Sequence, residues 1–346
     1  MTPSSRRGLQ IAISVVLAAA FLAFFLSRVD VSEIGRRIAE ASRVWLGVSF
    51  VIALSTFALR ALRWTWMLRP IARVPFFPAF VATAVGFAAN TVLPARAGEI
   101  VRPALLARER RLPFSPLLAS ILLERILDAA CVLLFLLFAI AQGPPPGGSR
   151  AFDLLARAAV IPALLLAGVV GVAILAVFRR SAADRLFQRI TRGLPRSIAP
   201  RAQSFAAAFL DGFQSLRQPW LALQIIAGSL VMWLVINVQV YAVLRAFGLS
   251  YPFSASYVTT AAAVLGLAVP TPGGIGGYHA AVQVALTDVY GAPVAEASGV
   301  ALLAHAISFV PITLIGFLLF AASPMRKVKL TDLEQAPAAR SEAPHA

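Results

Sequence analysis

Residues 265 to 280 read Leu-Gly-Leu-Ala-Val-Pro-Thr-Pro-Gly-Gly-Ile-Gly-Gly-Tyr-His-Ala, and two prolines and four glycines fall between positions 270 and 277. No charged residue occurs from Ala246 to Thr287. Inside a bilayer every backbone N–H and C=O group needs a partner, so such a cluster is tolerated only where protein or a wet cavity surrounds it. The stretch therefore predicts a broken helix or a hairpin tip within the membrane. Interrupted segments of this type point to a transporter's binding site, and the alternative is an ordinary loop between two short helices.

The composition is that of a polytopic membrane protein. Of the 346 residues, 59% are hydrophobic and 13% are charged, whereas about a quarter of the residues of a soluble domain are charged. The net charge of +16 does not indicate nucleic-acid binding, because the basic residues lie in short segments between apolar runs, as they do in cytoplasmic loops. The single cysteine, Cys131, lies in an apolar run. We therefore expect neither a disulfide framework nor a metal or cofactor site.

Apolar runs predict an all-α integral membrane protein with about six spanning helices and two re-entrant helical hairpins. A span needs about 20 apolar residues, and the runs of this length lie at 9–27, 44–68, 115–141, 156–178, 219–244 and 297–322. The first run is longer than the apolar core of a signal peptide, so we interpret it as an uncleaved helix. The two interrupted stretches, 74–95 and 251–287, are the predicted hairpins.

Loop charge favours this topology. With the amino terminus in the cytoplasm, the segment 179–218, which contains eight arginines, also lies in the cytoplasm. If only the stretch 74–95 spanned, those arginines would lie outside. The membrane domain is then 1–322, and the polar tail 323–346 is predicted to be cytoplasmic and disordered.

An internal repeat supports the same model. Residues 75–84 and 252–261 share Pro, Phe, Val, Thr and Ala at five aligned positions, although chance could supply such a match in an apolar chain. The predicted halves are 44–141 and 219–322. Three crossings between the repeats make the second copy inverted, an arrangement common in secondary transporters, and we expect the two hairpin tips to meet near the membrane midplane.

The first hairpin carries Asn90, a candidate substrate-binding residue, and ionisable residues after it. Arg96 and Glu99 are three residues apart and can share a helix face. Charges within a membrane are costly and usually pair or line a wet path. Arg96 is a candidate for binding a lipid phosphate, with Glu99 fixing its position or binding a cationic group. The alternative is a juxtamembrane ion pair without a ligand.

The next predicted helix contains Glu124, Arg125 and Asp128. The two carboxylates lie four residues apart, on one face and deep within an apolar run. They are candidates for pairing with Arg96 or with the arginines of the second helix, or for accepting protons during transport, and an inter-helix clamp is the structural alternative. No nucleophile or metal ligand accompanies them, so we predict no catalytic residues.

Arginines and histidines elsewhere are weaker candidates. Arg60 and Arg63 share a helix face next to Trp64, and snorkelling to the cytoplasmic headgroups explains them best. A lone histidine is more often structural, and we favour His279 over His305. In the second hairpin, close backbone approach and substrate contact are assigned to Gly273, Gly274, Gly276, Gly277, Tyr278 and His279.

Three motifs, at 90–99, 124–128 and 270–277, together resemble the lysylphosphatidylglycerol synthase transmembrane-region family, whose members are also described as flippase-like membrane proteins. The resemblance covers residues 9–322 and implies an inner-membrane protein that moves a lipid between leaflets. In bifunctional relatives a soluble aminoacyltransferase domain follows the membrane part. Here only residues 323–346 follow the last predicted helix, so synthase activity is not carried over.

We therefore expect a multi-pass protein of the bacterial inner membrane, with both termini cytoplasmic, that acts as a flippase for an anionic or aminoacylated phospholipid or another polar lipid. No phosphate-binding loop for a nucleotide is present. The alternatives are a membrane transferase that modifies a lipid or glycan, and a non-transporting subunit whose segment 179–218 docks a protein partner or anionic lipid.

Overall fold

The computed structural model describes residues 30–93, 96–145, 150–178, 213–269 and 271–323, together with the isolated positions 16, 20, 23, 25, 185, 189 and 203. Within these residues the protein is all-helical and contains no strand. The first predicted span, most of the basic segment and the tail after residue 323 lie outside the described residues, so the predictions about them stay predictions.

Ten α-helices make up the described part of the chain. They are α1 (Val31–Glu40), α2 (Arg43–Leu68), α3 (Phe76–Val92), α4 (Gly98–Arg110), α5 (Phe114–Ala141), α6 (Arg150–Phe178), α7 (Pro219–Ala246), α8 (Ser254–Ala268), α9 (Gly277–Val284) and α10 (Val294–Ala322). A π-helical turn, Ala285–Val289, continues α9, and single 3₁₀ turns occupy Phe213–Arg217 and Pro272–Gly274.

Four described helices are long and apolar enough to cross a membrane: Arg43–Leu68, Arg150–Val172, Pro219–Ala246 and Val294–Ala322. They match four of the six predicted spans. A fifth predicted span corresponds to α5, whose 28 residues reach about 42 Å at 1.5 Å per residue. Helix α5 is less apolar at its centre because Glu124, Arg125 and Asp128 lie there.

Both interrupted stretches fold as helix, break and helix. Helices α3 and α4 pack against each other on either side of one break, and α8 and α9 do so on either side of the other. The helices approach closely at a pair of glycines in each case. A Cβ atom on Gly98 would overlap the carbonyl oxygen of Gly86, and one on Gly277 would overlap that of Gly266. Glycine is therefore required at both crossings.

The breaks contain unusual backbone. Arg96 has φ 54° in the first break, and Gly273, Gly274 and Gly276 have φ between 60° and 87° in the second. A left-handed conformation suits glycine but is uncommon for a residue with a side chain. Arg96 is thus held in a conformation of the kind that concentrates at functional sites.

Helices from the two predicted halves pack against each other. The most extensive contact joins α2 to α7; α3 packs on α10, and α5 packs on α8. Each hairpin therefore lies against the long helix that follows the other hairpin. This exchange is the pattern expected if the halves are related by a two-fold axis, although the inverted repeat and the number of crossings stay predictions.

The two breaks meet. A Cβ atom on Gly273 would lie 3.3 Å from the carbonyl oxygen of Thr91, at the end of α3. Thr91 Oγ1 also lies 3.0 Å from Thr313 Oγ1 on α10. The contact brings the ends of both hairpins to one place beside α10.

Candidate functional site

Helix α5 carries two buried carboxylates. Glu124 has no exposed surface and Asp128 is 5% exposed. Their spacing of four residues places both side chains on the same face of the helix, as the sequence predicted. The face points toward α2, α4 and α7. Among the described residues, the charged and indole groups that contact the two carboxylates come from those helices or from α5 itself.

Glu124 is surrounded by guanidinium groups. Arg102 Nη1 on α4 donates to both carboxylate oxygens at 3.0 Å, and Arg125 Nη2 donates to Oε1 at 2.6 Å. Arg63 Nη2 on α2 lies 3.4 Å from Oε1. Because hydrogen bonds between ions are stronger than those between neutral groups, these contacts hold α2, α4 and α5 together at one point.

Asp128 has a similar set of partners. Arg63 Nη1 lies 2.8 Å from Oδ1, and Trp233 Nε1 on α7 donates to the same oxygen at 2.9 Å. Arg125 Nη2 lies 3.1 Å from Oδ2, and Arg60 Nη1 lies 3.5 Å from it. We call the six charged residues Arg60, Arg63, Arg102, Glu124, Arg125 and Asp128 the ion cluster.

The snorkelling interpretation of Arg60 and Arg63 is wrong. The two residues are 9% and 1% exposed and pair with the carboxylates of α5. Trp64 is fully buried, and its Nε1 donates to Ser120 Oγ at 2.9 Å. The guanidinium of Arg102 lies 4.0 Å from the centre of the Trp64 ring, a cation–π contact. The sequence signal was the position of both arginines within an apolar run, where a buried partner should be expected.

Sequence reasoning also left Arg102 out of the site. It follows Glu99 by three residues in the first hairpin motif, and α4 places it 4% exposed beside Glu124. Its location close to the predicted pair Arg96 and Glu99 was the available signal. What the sequence did not show is that Arg102 points into the protein.

Arg96 and Glu99 form a rim to the ion cluster. Arg96 Nε lies 3.4 Å from Glu99 Oε1, and Arg125 Nη1 lies 3.9 Å from the same oxygen. The side chains of Arg96, Glu99 and Arg125 are 50%, 27% and 28% exposed, so the cluster is reached from the protein surface at this edge. Asn90 packs against Gly98, and its Oδ1 has no hydrogen-bond partner among the described residues.

A cavity of about 110 Å³ adjoins the ion cluster at Arg60. Its wall is mainly aromatic and aliphatic, and its polar groups include Arg60, Gln239 and Thr260. The Arg60 guanidinium lies 5.4 Å from the Phe87 ring centre and 5.7 Å from that of Trp233. Arg60 thus belongs to the ion cluster and to the cavity wall.

The second hairpin lines the same cavity with residues of α8 and with Tyr278 of α9. Next to it, His279 Nδ1 accepts a hydrogen bond from the Gly276 amide at 3.2 Å, which caps α9. His305 Nε2, on α10, lies 2.8 Å from the Gly273 carbonyl oxygen. The two imidazole ring centres are 4.7 Å apart, so both histidines support the hairpin, although sequence reasoning favoured His279 alone.

The predicted site residues therefore fall into two groups. Arg96, Glu99, Glu124, Arg125 and Asp128 form one connected set with the rim and the ion cluster. Of the second-hairpin residues, Tyr278 lines the cavity together with Arg60. Gly273, Gly274, Gly276, Gly277 and His279 shape the tip next to Tyr278 rather than lining the cavity themselves.

The described residues contain no group of three or more histidines, cysteines, aspartates and glutamates placed to bind a metal ion. Both cluster carboxylates are instead bonded to arginine. The arrangement is suited to binding a charged headgroup or to holding four helices together. Neither of the two cluster carboxylates is free to act as a base.

Comparison with known proteins gives one family and one distant relative. The family model described as the lysylphosphatidylglycerol synthase TM region matches residues 11–316. A protein named glycosyltransferase AglD, from Haloferax volcanii, is 26% identical over 352 aligned residues, which include 91% of this chain and 54% of the relative. The chain thus spans about half the length of that relative, and no solved structure matches it. Because the family model matches most of the chain, this multi-pass membrane protein belongs to the lysylphosphatidylglycerol synthase TM region family.

Proposed function

We propose that this protein moves a polar lipid between the two leaflets of the bacterial inner membrane by exposing an embedded cavity alternately to either side. The observation that carries the proposal is the position of Arg60. Its guanidinium pairs with Asp128 in the ion cluster and also lines the apolar cavity. A charged donor at the wall of an apolar cavity matches an amphipathic ligand, because the headgroup can bind the donor while the acyl chain contacts the wall.

The cavity is too small to hold a whole phospholipid. At about 110 Å³ it is smaller than the 300 to 1,000 Å³ or so that a drug-sized ligand occupies. A phospholipid can enter only if helices separate. The two breaks are suitable places for such a movement. Each break separates two helices that contact each other through glycines, and the two breaks contact each other at Thr91 and Gly273.

Membership of the family supports lipid movement as the function, because members of this family are also described as flippase-like membrane proteins. The ion cluster supports it independently. Charges buried in a membrane are expensive and usually mark a substrate or ion pathway. Six of them surround one point of α5, next to a cavity.

Leaflet exchange in liposomes tests the proposal. The purified full-length protein is reconstituted with acyl-labelled phospholipids, and bleaching of the outer leaflet reports how much label moves outward. We expect exchange with the wild type, and a loss of about tenfold or more with Arg60→Gln, because a charge-assisted hydrogen bond is lost. The matched control is Arg69→Gln, at the end of the same helix, where the exposed Arg69 donates to Gln224 at 3.0 Å. Absence of exchange with every lipid class would contradict the proposal.

A transferase is the second candidate, because the relative AglD is named a glycosyltransferase. The geometry favours it less, since both buried carboxylates are occupied by arginines. Incubation of the purified protein with labelled nucleotide sugars and membrane lipids tests it. Transfer of label to lipid that requires Glu124 would favour the enzyme.

The proposal that segment 179–218 docks a partner rests on residues mostly outside those described.

A further inference from the structure

The charges of the ion cluster do not balance. Four arginines face two carboxylates, which leaves a net charge of +2. The rim adds one arginine and one glutamate and does not change this value. Five of the six cluster residues are no more than 9% exposed, and Arg125 is 28% exposed. An uncompensated positive charge at this depth is costly unless an anion joins it.

All four carboxylate oxygens already accept from arginine or tryptophan donors, and Glu124 Oε2 is the least occupied of them. Both oxygens of Glu124 accept from Arg102, and Oε1 also accepts from Arg125. Asp128 Oδ1 binds Arg63 and Trp233, and Asp128 Oδ2 binds Arg125. An ammonium group would compete with these arginines for the carboxylates and would add to the positive charge. The two carboxylates therefore serve to hold the arginines in place.

The guanidinium groups, in contrast, retain unused donors. Nε of Arg63, Nε and Nη2 of Arg102, and Nε of Arg125 are buried and have no hydrogen-bond partner among the described residues, and Arg63 Nη2 has only its 3.4 Å ion-pair contact with Glu124 Oε1. Glu99 Oε1 is the acceptor left unpartnered in the rim, and it lies in ion-pair range of Arg96 and Arg125. Buried polar atoms are normally satisfied, so the cluster has an excess of donors that matches an acceptor-rich ligand.

We propose that the ion cluster binds a lipid headgroup with a net negative charge, namely a phosphate that no amine compensates, and that it discriminates against cationic aminoacylated phospholipids. This inference rests on the proposed function and specifies its substrate class. Phosphate has only acceptor oxygens, and guanidinium binds it with two parallel hydrogen bonds. A lysyl headgroup brings ammonium groups to a site that already has a net charge of +2.

Asp128 connects the two accessible sides of the cluster. Its Oδ2 lies 3.1 Å from Arg125 Nη2 on the rim side and 3.5 Å from Arg60 Nη1 on the cavity side. A phosphate that enters at the rim meets Arg125 first, and one in the cavity meets Arg60. The site thus offers two guanidinium groups held by one carboxylate, one of them partly exposed near the rim and the other in the cavity wall.

Binding in detergent tests the inference without requiring transport. Native mass spectrometry of the full-length protein measures retention of phosphatidylglycerol, phosphatidylcholine and lysylphosphatidylglycerol with identical acyl chains. We expect phosphatidylglycerol to bind about tenfold more tightly than lysylphosphatidylglycerol, and phosphatidylcholine to lie between them. Arg60→Gln and Arg125→Gln should each reduce this preference, while Arg69→Gln should keep it. Equal binding of the three lipids, or tighter binding of the lysyl lipid, would overturn the inference.

The exchange assay with the same lipids separates the two proposals. Faster exchange of phosphatidylglycerol than of the lysyl lipid supports both. Exchange of all lipids at one rate supports the transport proposal and overturns the inference. Selective binding of phosphatidylglycerol without exchange of any lipid supports an anionic lipid site and contradicts transport. Thermal unfolding of each variant shows whether a loss of lipid preference is caused by unfolding. If a variant unfolds at a lower temperature than the wild type, the inference is judged from the lipid preference of the wild type alone.

Discussion

Arg60 Nη1 and Asp128 Oδ2 lie 3.5 Å apart on two different helices, at the boundary between a buried cluster of charges and an apolar cavity. Arg60 comes from α2 and Asp128 from α5, and 68 residues separate them in the chain. The pair fixes the position of the charged group that lines the cavity. It is therefore the point at which the buried ion cluster meets the cavity that we propose binds the lipid.

Asp128→Asn should be strongly destabilising. The change removes the charge that Arg60, Arg63 and Arg125 share and leaves buried guanidinium groups uncompensated. Breaking a buried ion pair from one side costs about 3–5 kcal/mol. Thermal unfolding in detergent measures the effect. The control is Asp288→Asn, which makes the same change at an exposed aspartate. Similar unfolding temperatures for both variants would show that the cluster does not hold the helices together.

Glycine at position 98 should be essential for the first hairpin. In Gly98→Ala the new methyl group would overlap the Gly86 carbonyl oxygen and approach Asn90, and α3 and α4 would have to separate. Overpacking of this kind costs about 1–3 kcal/mol. The matched control is Gly168→Ala on α6, where no atom lies within 4 Å of an added Cβ. The prediction is checked by thermal unfolding of the two variants, and it fails if Gly98→Ala is as stable as the control.

His305 should keep the second break in place. His305→Phe removes the partner of the Gly273 carbonyl oxygen, which lies 2.8 Å from Nε2, and an unpaired buried carbonyl costs about 1–3 kcal/mol. We expect faster hydrogen exchange at the amides of residues 271–279, while exchange in α2 stays unchanged. His305→Gln keeps a side-chain donor and should restore part of the protection. Identical exchange in all three proteins would contradict a role in anchoring the hairpin.

The start of α1 should be sensitive to acid. The hydrogen bond from Ser32 Oγ lowers the pKa of Asp30 below its ordinary value of 3.8, and the Ser32 amide, which donates at 2.8 Å, adds to the effect. Because the folded pKa is the lower one, the cap contributes fully above pH 3.8 and is lost as the pH falls through the folded pKa. Hydrogen exchange of the Ser32 amide should therefore show less protection in strong acid, after correction for intrinsic rates. Asp30→Ala should show the same low protection at all pH values.

Much of the fold could be predicted from the sequence. The long apolar runs gave helices α2, α5, α6, α7 and α10 close to their observed bounds, because the length of a run and the absence of charge are local properties. The two breaks were also visible, since proline and glycine interrupt a helix wherever they occur. The common face of Glu124 and Asp128 followed from the helical period alone.

The composition of the site could be predicted only in part. Glu124, Arg125 and Asp128 were found because charge in an apolar run is conspicuous. Arg60 and Arg63 are equally conspicuous but were assigned to the membrane surface. An arginine can extend its long side chain toward headgroups or turn to a buried carboxylate, and the sequence around it is the same in both cases.

The sequence by itself determined that this is a helical membrane protein, where its helices lie, and that charged residues occur within them, because hydrophobicity, helical period and backbone breaks depend on neighbouring residues. Only the tertiary structure decided that arginines from α2 and α4 converge on the carboxylates of α5. It also decided that the cluster has more donors than acceptors and that Arg60 lines a cavity. These properties depend on which helix faces pack together, and residues distant along the chain determine that packing.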